Sequence, residues 1–180
     1  MKKLAIIISV LTLLTSGMQA QKMNNIKTDL LSPFIRTGVV KYERVLNENM
    51  SVQLGLFYTG IHPRDMEGSL NGYGITPEFR FYLSETPAPS GTYFAPNVRY
   101  MNLTGRDSLN VNTGSYTNLS FAFNVGKQVL LKDVVMIDAW FGPSYNFRNL
   151  VDEAGTVEED MFLNRSGFGL RVGIAIGIAF

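Results

Sequence analysis

The sequence predicts an all-β fold, an eight-stranded antiparallel up-and-down transmembrane β-barrel, and three observations predict it. In residues 168–180 the large apolar side chains Leu170, Val172, Ile174, Ile176 and Ile178 alternate with glycine, alanine and one arginine, which is the period of two of a β-strand. A soluble strand carries Lys, Glu or Thr on its solvent side, but here that face is Gly167, Gly169, Gly173, Ala175, Gly177 and Ala179. Small residues suit the inside of a narrow barrel, and the large ones then face lipid. At the other end of the chain, Lys2 and Lys3 precede an apolar stretch at 4–14 and a small or polar segment at 15–20, the pattern of a secretory signal peptide cleaved after Ala20. Charged residues make up 17% of the chain, below the roughly 25% of a soluble domain, as expected where much of the surface meets hydrocarbon.

The apolar stretch of the leader is shorter than the about 20 residues of a spanning helix, so the membrane reading rests on strands. The domain expected over 21–180 is roughly 160 residues long, enough for eight strands of about 10 residues with their connections and too short for a larger porin.

The strands follow in order from the alternation and its breakers. The first two are expected at 25–34 and 39–46, joined around Arg36, Thr37 and Gly38, and the third at 51–60 with Val52, Leu54, Leu56 and Tyr58 on one face. The fourth, 72–83, sets Tyr73, Ile75, Phe79 and Phe81 against Gly74, Thr76, Glu78, Arg80 and Tyr82. The fifth, 92–103, follows the Pro- and Ser-rich breaker at 86–91. The sixth, 116–126, directs Leu119, Phe121, Phe123 and Val125 outward; the seventh, 134–147, directs Ile137, Ala139, Phe141 and Tyr145 outward; the eighth is 167–180. Pro77 and Pro96 fall inside strands, where a closed barrel has no free edge, and read as bulges or as misplaced boundaries. An even count puts both termini on the periplasmic side. Turns at 47–50, 84–91 and 127–133 then lie on that side, and loops at 61–71, 104–115 and 148–166 lie outside. Tyr58, Tyr73, Tyr116, Tyr145 and Phe168 fall near the outer strand ends and Tyr42, Phe81, Phe94 and Phe180 near the inner ends, the positions of two interfacial girdles.

The strand parity directs Lys27, Asp29, Lys41, Glu43, Glu78, Arg80, Arg99, Asp138 and Arg171 into the barrel. Unpaired charges in a narrow interior are costly, and an eight-stranded barrel is just wide enough for side chains. A salt-bridged plug is therefore expected, with Lys27 beside Glu43, Asp29 beside Lys41 and Glu78 beside Arg99. A small-solute channel is the alternative, and a lipid-modifying barrel enzyme ranks third. An enzyme is not expected. His62, the only histidine, shares a loop with Arg64, Asp65 and Ser69, the residue types of a lipid hydrolase without a motif that orders them. The acidic residues Asp152, Glu153, Glu158, Glu159 and Asp160 lack the ligand spacing of a calcium loop and read as a solvated face. No cofactor is implied. With no cysteine there is no disulfide and no Cys metal site. Removing Lys2 and Lys3 lowers the formal charge of +1 by two, which leaves no basic field for nucleic acid.

With strands and termini in place, the chain resembles the small eight-stranded outer-membrane proteins of the OmpA and OmpX type, and more narrowly a family of exported barrels of unknown function. The narrower resemblance rests on the stretch 25–33 (Asn-Ile-Lys-Thr-Asp-Leu-Leu-Ser-Pro), on Tyr42, Glu43 and Arg44 before a turn and a new strand, on 93–100 and on the final Phe180. It implies a bacterial outer-membrane location, and recognition of the last strand and Phe180 by the assembly machinery of that membrane. It transfers no catalytic residue. A monomer surrounded by lipid, with a structural or surface-interaction role, is the expected function.

Overall fold

In the computed structural model of the chain, the described residues are 24–61, 68–107, 112–152 and 166–180. The leader expected at 1–20, His62, Arg64, Asp65 and the acidic residues from Glu153 to Asp160 lie outside them. Eight strands follow in chain order: β1 (Asn24–Asp29), β2 (Thr37–Asn47), β3 (Met50–Ile61), β4 (Gly68–Tyr82), β5 (Gly91–Asp107), β6 (Asn112–Leu131), β7 (Val135–Asp152) and β8 (Gly167–Ala179). Each pairs antiparallel with its sequence neighbour, and β1 pairs with β8 (Ile26 opposite Ile178), so the sheet closes into a barrel. The fold class is the one the alternation predicts. Closure leaves no strand edge unpaired.

The inward and outward faces also follow the predicted parity. Lys27, Lys41, Glu43, Glu78, Arg80 and Asp138 are buried, and Asp29, Arg99 and Arg171 are partly buried, all on the inner face. Leu54, Leu56, Ile75, Phe121, Phe123, Phe141, Leu170, Val172 and Ile174 are exposed on the outer one. Two inner glycines of β8 make room for large neighbours. A Cβ at Gly173 would meet the Trp140 ring, and one at Gly177 would meet the Lys27 side chain and the backbone of β1.

Element ends differ from expectation in three ways. First, β1 stops at Asp29 rather than 34, because Asp29 Oδ1 accepts the backbone N–H groups of Leu31 (3.0 Å) and Ser32 (3.2 Å), an Asx turn that takes the chain out of the ladder. A short 3₁₀ helix follows (Ser32–Ile35) with Pro33 in its first turn, and Arg36 at φ 54° closes it. Second, β4 to β7 run several residues past their apolar alternation on the side away from the termini. Ladder pairs such as Gly105 with Gly114 and Gly114 with Asp152 continue there, so backbone pairing sets the length where side-chain pattern has ended. Third, the turn expected at 127–133 shrinks to 132–134, with Lys132 (φ 49°) and Asp133 (φ 56°) both left-handed and Leu131 opposite Val135.

Pro77 and Pro96 are neither bulges nor boundary errors. The β4–β5 register keeps one offset from Ile75 opposite Tyr100, through Glu78 opposite Asn97, to Phe81 opposite Phe94. Each proline lacks one N–H, and each stays in register with its other neighbour, Pro77 with Leu54 and Pro96 with Phe123. Tyr116, assigned from sequence to an aromatic girdle, instead faces inward and is buried.

Candidate functional site

The barrel interior is the candidate site, and it has two levels. The level nearer the termini is a closed polar network drawn from seven strands and one turn. Lys27 Nζ on β1 lies 2.7 Å from Glu43 Oε2 on β2 and 3.2 Å from Asp138 Oδ2 on β7. Arg80 on β4 lies 2.9 Å from Asp138 Oδ2 and donates from Nε to Glu78 Oε1 at 2.6 Å. Gln128 on β6 bridges the cations, accepting at Oε1 from Lys27 (2.6 Å) and Arg80 (2.8 Å). Its Nε2 donates to Glu43 Oε2 (2.9 Å) and to the carbonyl of Pro89 (2.8 Å). Tyr82 donates to Glu43 Oε1 and Tyr93 on β5 to Asp138 Oδ1, each at 2.7 Å. Ser51 on β3 and Asn25 also donate to Glu43.

Lys27, Arg80, Glu43, Asp138 and Gln128 are each at most 1% exposed. A charge so placed is tolerable only when its oxygens or protons are satisfied, and here each carboxylate meets cations and neutral donors together. The apolar parts pack as well. Arg80 lies over the Tyr93 ring (4.2 Å), and Val45, Tyr82, Ala88, Tyr93 and Ala95 form a small cluster against which Trp140 packs.

The turn between β4 and β5 closes this end. The N–H of Ala88 donates to the carbonyl of Glu48 at 2.7 Å, and Ala88 is fully buried. Its length, unusual for a turn on this side, is explained by that folding back over the mouth. The sequence reading missed Gln128, Tyr82, Tyr93, Ser51 and Asn25 as members of the network. For Gln128 the signal was present: ending β6 at Gly126 hid that its inward parity continues.

Lys27 pairs with Glu43 as expected, and Asp29 pairs with Lys41 at 3.4 Å. Lys41 Nζ also sits over the Trp140 ring at 3.5 Å. The expected pair of Glu78 with Arg99 is absent. Register sets Asn97 opposite Glu78, and the oxygens of Glu78 are taken by Arg80, Gln53 (3.1 Å) and Asn124 (3.0 Å). Arg99 donates instead to Thr76 Oγ1 at 3.0 Å and lies over the Phe57 ring.

Arg99 and Arg171 form the second level, on the side away from the termini. Arg171 donates to Asn97 Oδ1 at 2.8 Å and to Ser120 Oγ. Ser120 stands directly opposite Arg99 in the β5–β6 ladder, so both cations are brought to one sector of the wall.

Residues 5–145 match the family described as protein of unknown function (DUF3575). The chain belongs to that family. The match takes in every interior charge named above except Arg171, so the network that closes one end of the DUF3575 barrel lies wholly within the matched stretch. No curated protein and no solved structure is similar enough to this chain to match.

Proposed function

We propose that this DUF3575 protein is a monomeric outer-membrane barrel with a structural or surface-interaction role, its lumen closed by the network around Glu43. The observation that carries the proposal is an inside-out distribution of side chains. Leu170 is 73% exposed, Val172 68% and Phe123 62% on the outer face, while the buried charges lie within. Contiguous apolar surface on this scale is a liability in water and the expected surface in a bilayer. Clusters of aromatic side chains toward the two strand ends support the same setting. Phe81 stacks on Phe94 (4.7 Å between centroids) near the termini, and Tyr145 meets Phe147 and Phe168 (4.9 and 5.1 Å) near the opposite end.

In this reading lipid covers the outer face, the termini are periplasmic, and the barrel-assembly machinery engages β8 and Phe180 during biogenesis. The loops of the opposite end meet whatever partner the protein serves. The barrel acts neither as an enzyme nor on nucleic acid.

The test is fractionation with planar-bilayer recording. The protein is expected in the outer-membrane fraction, with heat-dependent mobility on gels and no unitary conductance. Folded protein in the soluble periplasmic fraction would overturn the membrane assignment, and stable conductance steps would overturn the plug.

A further inference from the structure

The plug accounts for Lys27, Lys41 and Arg80 but leaves Arg99 and Arg171 without an ion-pair contact among the described residues. The two carboxylates on their side of the network are already engaged. Glu78 binds Arg80, Gln53 and Asn124; Asp29 binds Lys41 and the backbone N–H groups of Leu31 and Ser32. Among the described residues, neither Arg99 nor Arg171 has a carboxylate within ion-pair distance. The partners they do have, Thr76, Asn97 and Ser120, are neutral.

A guanidinium carries five N–H donors. Arg99 satisfies Nε on Thr76, and its two terminal nitrogens have no hydrogen-bond partner among the described residues. The inward side chains Phe57, Thr76, Arg99, Met101 and Arg171 all keep partial accessibility, in contrast to the sealed network beside them, so a water-accessible space lies at this level. Two cations in one sector of a confined space, Arg171 bonded to the Ser120 that stands opposite Arg99, with donors to spare and no carboxylate within ion-pair distance, make a site for planar or tetrahedral oxyanions.

We propose that Arg99 and Arg171 bind a small soluble oxyanion, a solute bearing a phosphate or carboxylate group. It enters from the end opposite the termini, since the network and the β4–β5 turn close the other. The outer wall is a closed sheet, so the anion arrives as a solute and not as a lipid headgroup.

The experiment uses the full-length barrel refolded in zwitterionic detergent. Its thermal midpoint is followed by heat-dependent gel mobility while sodium phosphate, sodium acetate or sodium chloride is titrated at constant ionic strength. Phosphate or acetate is expected to raise the midpoint saturably where chloride does not. Arg99→Gln and Arg171→Gln should each weaken the apparent affinity about tenfold or more, as loss of one charge-assisted bond implies. Lys127→Gln, on the outer face, should leave it unchanged. Equal responses to chloride and to both oxyanions would overturn the proposal whether or not the arginine variants fold. So would an unaltered affinity in both folded arginine variants.

Discussion

Glu43 holds more of the interior together than any other single side chain. Its carboxylate accepts from Lys27, Asn25, Gln128, Ser51 and Tyr82 and lies 3.8 Å from Arg80, so its charge compensates two cations and also orients four neutral groups. Glu43→Gln keeps the shape and removes the charge, which leaves Lys27 to share Asp138 with Arg80 in a fully buried site. Breaking a buried pair on one side costs about 3 to 5 kcal/mol, and a urea titration of the barrel refolded in lipid vesicles should register a loss of that order. Arg80 and Arg99 give a sharper contrast, because both lie near Glu78 in sequence order around the wall but only Arg80 contacts it. Double-mutant cycles are expected to find Glu78 and Arg80 coupled by about 1 kcal/mol or more. Glu78 and Arg99 should be additive within about 0.5 kcal/mol. The reverse ranking would mean that the interior is arranged differently from the geometry described.

Among the elements, β8 divides its two faces between two environments. Its outer residues Leu170 to Ile178 are exposed and its inner glycines admit Trp140 and Lys27. Ile174→Arg places a charge on the outer face opposite Ala139 and, in the proposed membrane setting, should cost about 2 to 4 kcal/mol near the bilayer midplane. The same change measured in detergent micelles, where the head group reaches water easily, should cost less. Equal effects in both media would argue against a membrane-embedded β8. On the inner face, Gly173→Val should destabilise by steric conflict with the Trp140 ring and do so equally in both media, since lipid does not reach it. The pair of substitutions therefore separates burial against protein from burial against lipid.

For the molecule as a whole, the decisive property is that one end of the barrel is sealed. The bonds from Lys27 to Gln128, Arg80 to Asp138 and Gln128 to Glu43 cross the lumen between strands that are not neighbours in the sheet, so unfolding any one wall opens the network. Replacing residues 84–89 by a short Gly-Ser turn removes the Pro89 carbonyl and the Ala88 cover. The shortened protein is expected to stay folded, because the eight-strand ladder is intact, and to remain non-conducting, because Lys27, Glu43, Arg80 and Asp138 still fill the section. Ion conductance appearing in this variant would make the turn, and not the charge network, the barrier.

The alternation of Leu170 to Ile178 with small residues, and the same parity in each earlier strand, was enough to determine the strand count and the fold class. It also determined which charges face inward, because side chains of a strand can point only two ways. Local chemistry that does not depend on that period was less legible. The Asx turn at Asp29 ended β1 early, and ladder pairing carried β6 and β7 past their apolar residues. The pairing of charges was legible only where it joins adjacent strands, as for Lys27 with Glu43 and Lys41 with Asp29. Arg80 reaching Asp138, Gln128 bridging two cations and the 83–90 turn covering the mouth are contacts across the lumen. Barrel closure and strand stagger bring those residues together, and neither is written in the sequence around any one of them. Arg99 stands apart from Glu78 for a more local reason: that carboxylate is taken by Arg80, two residues along the same face of β4, a competition between same-strand and cross-strand neighbours that only the assembled wall decides.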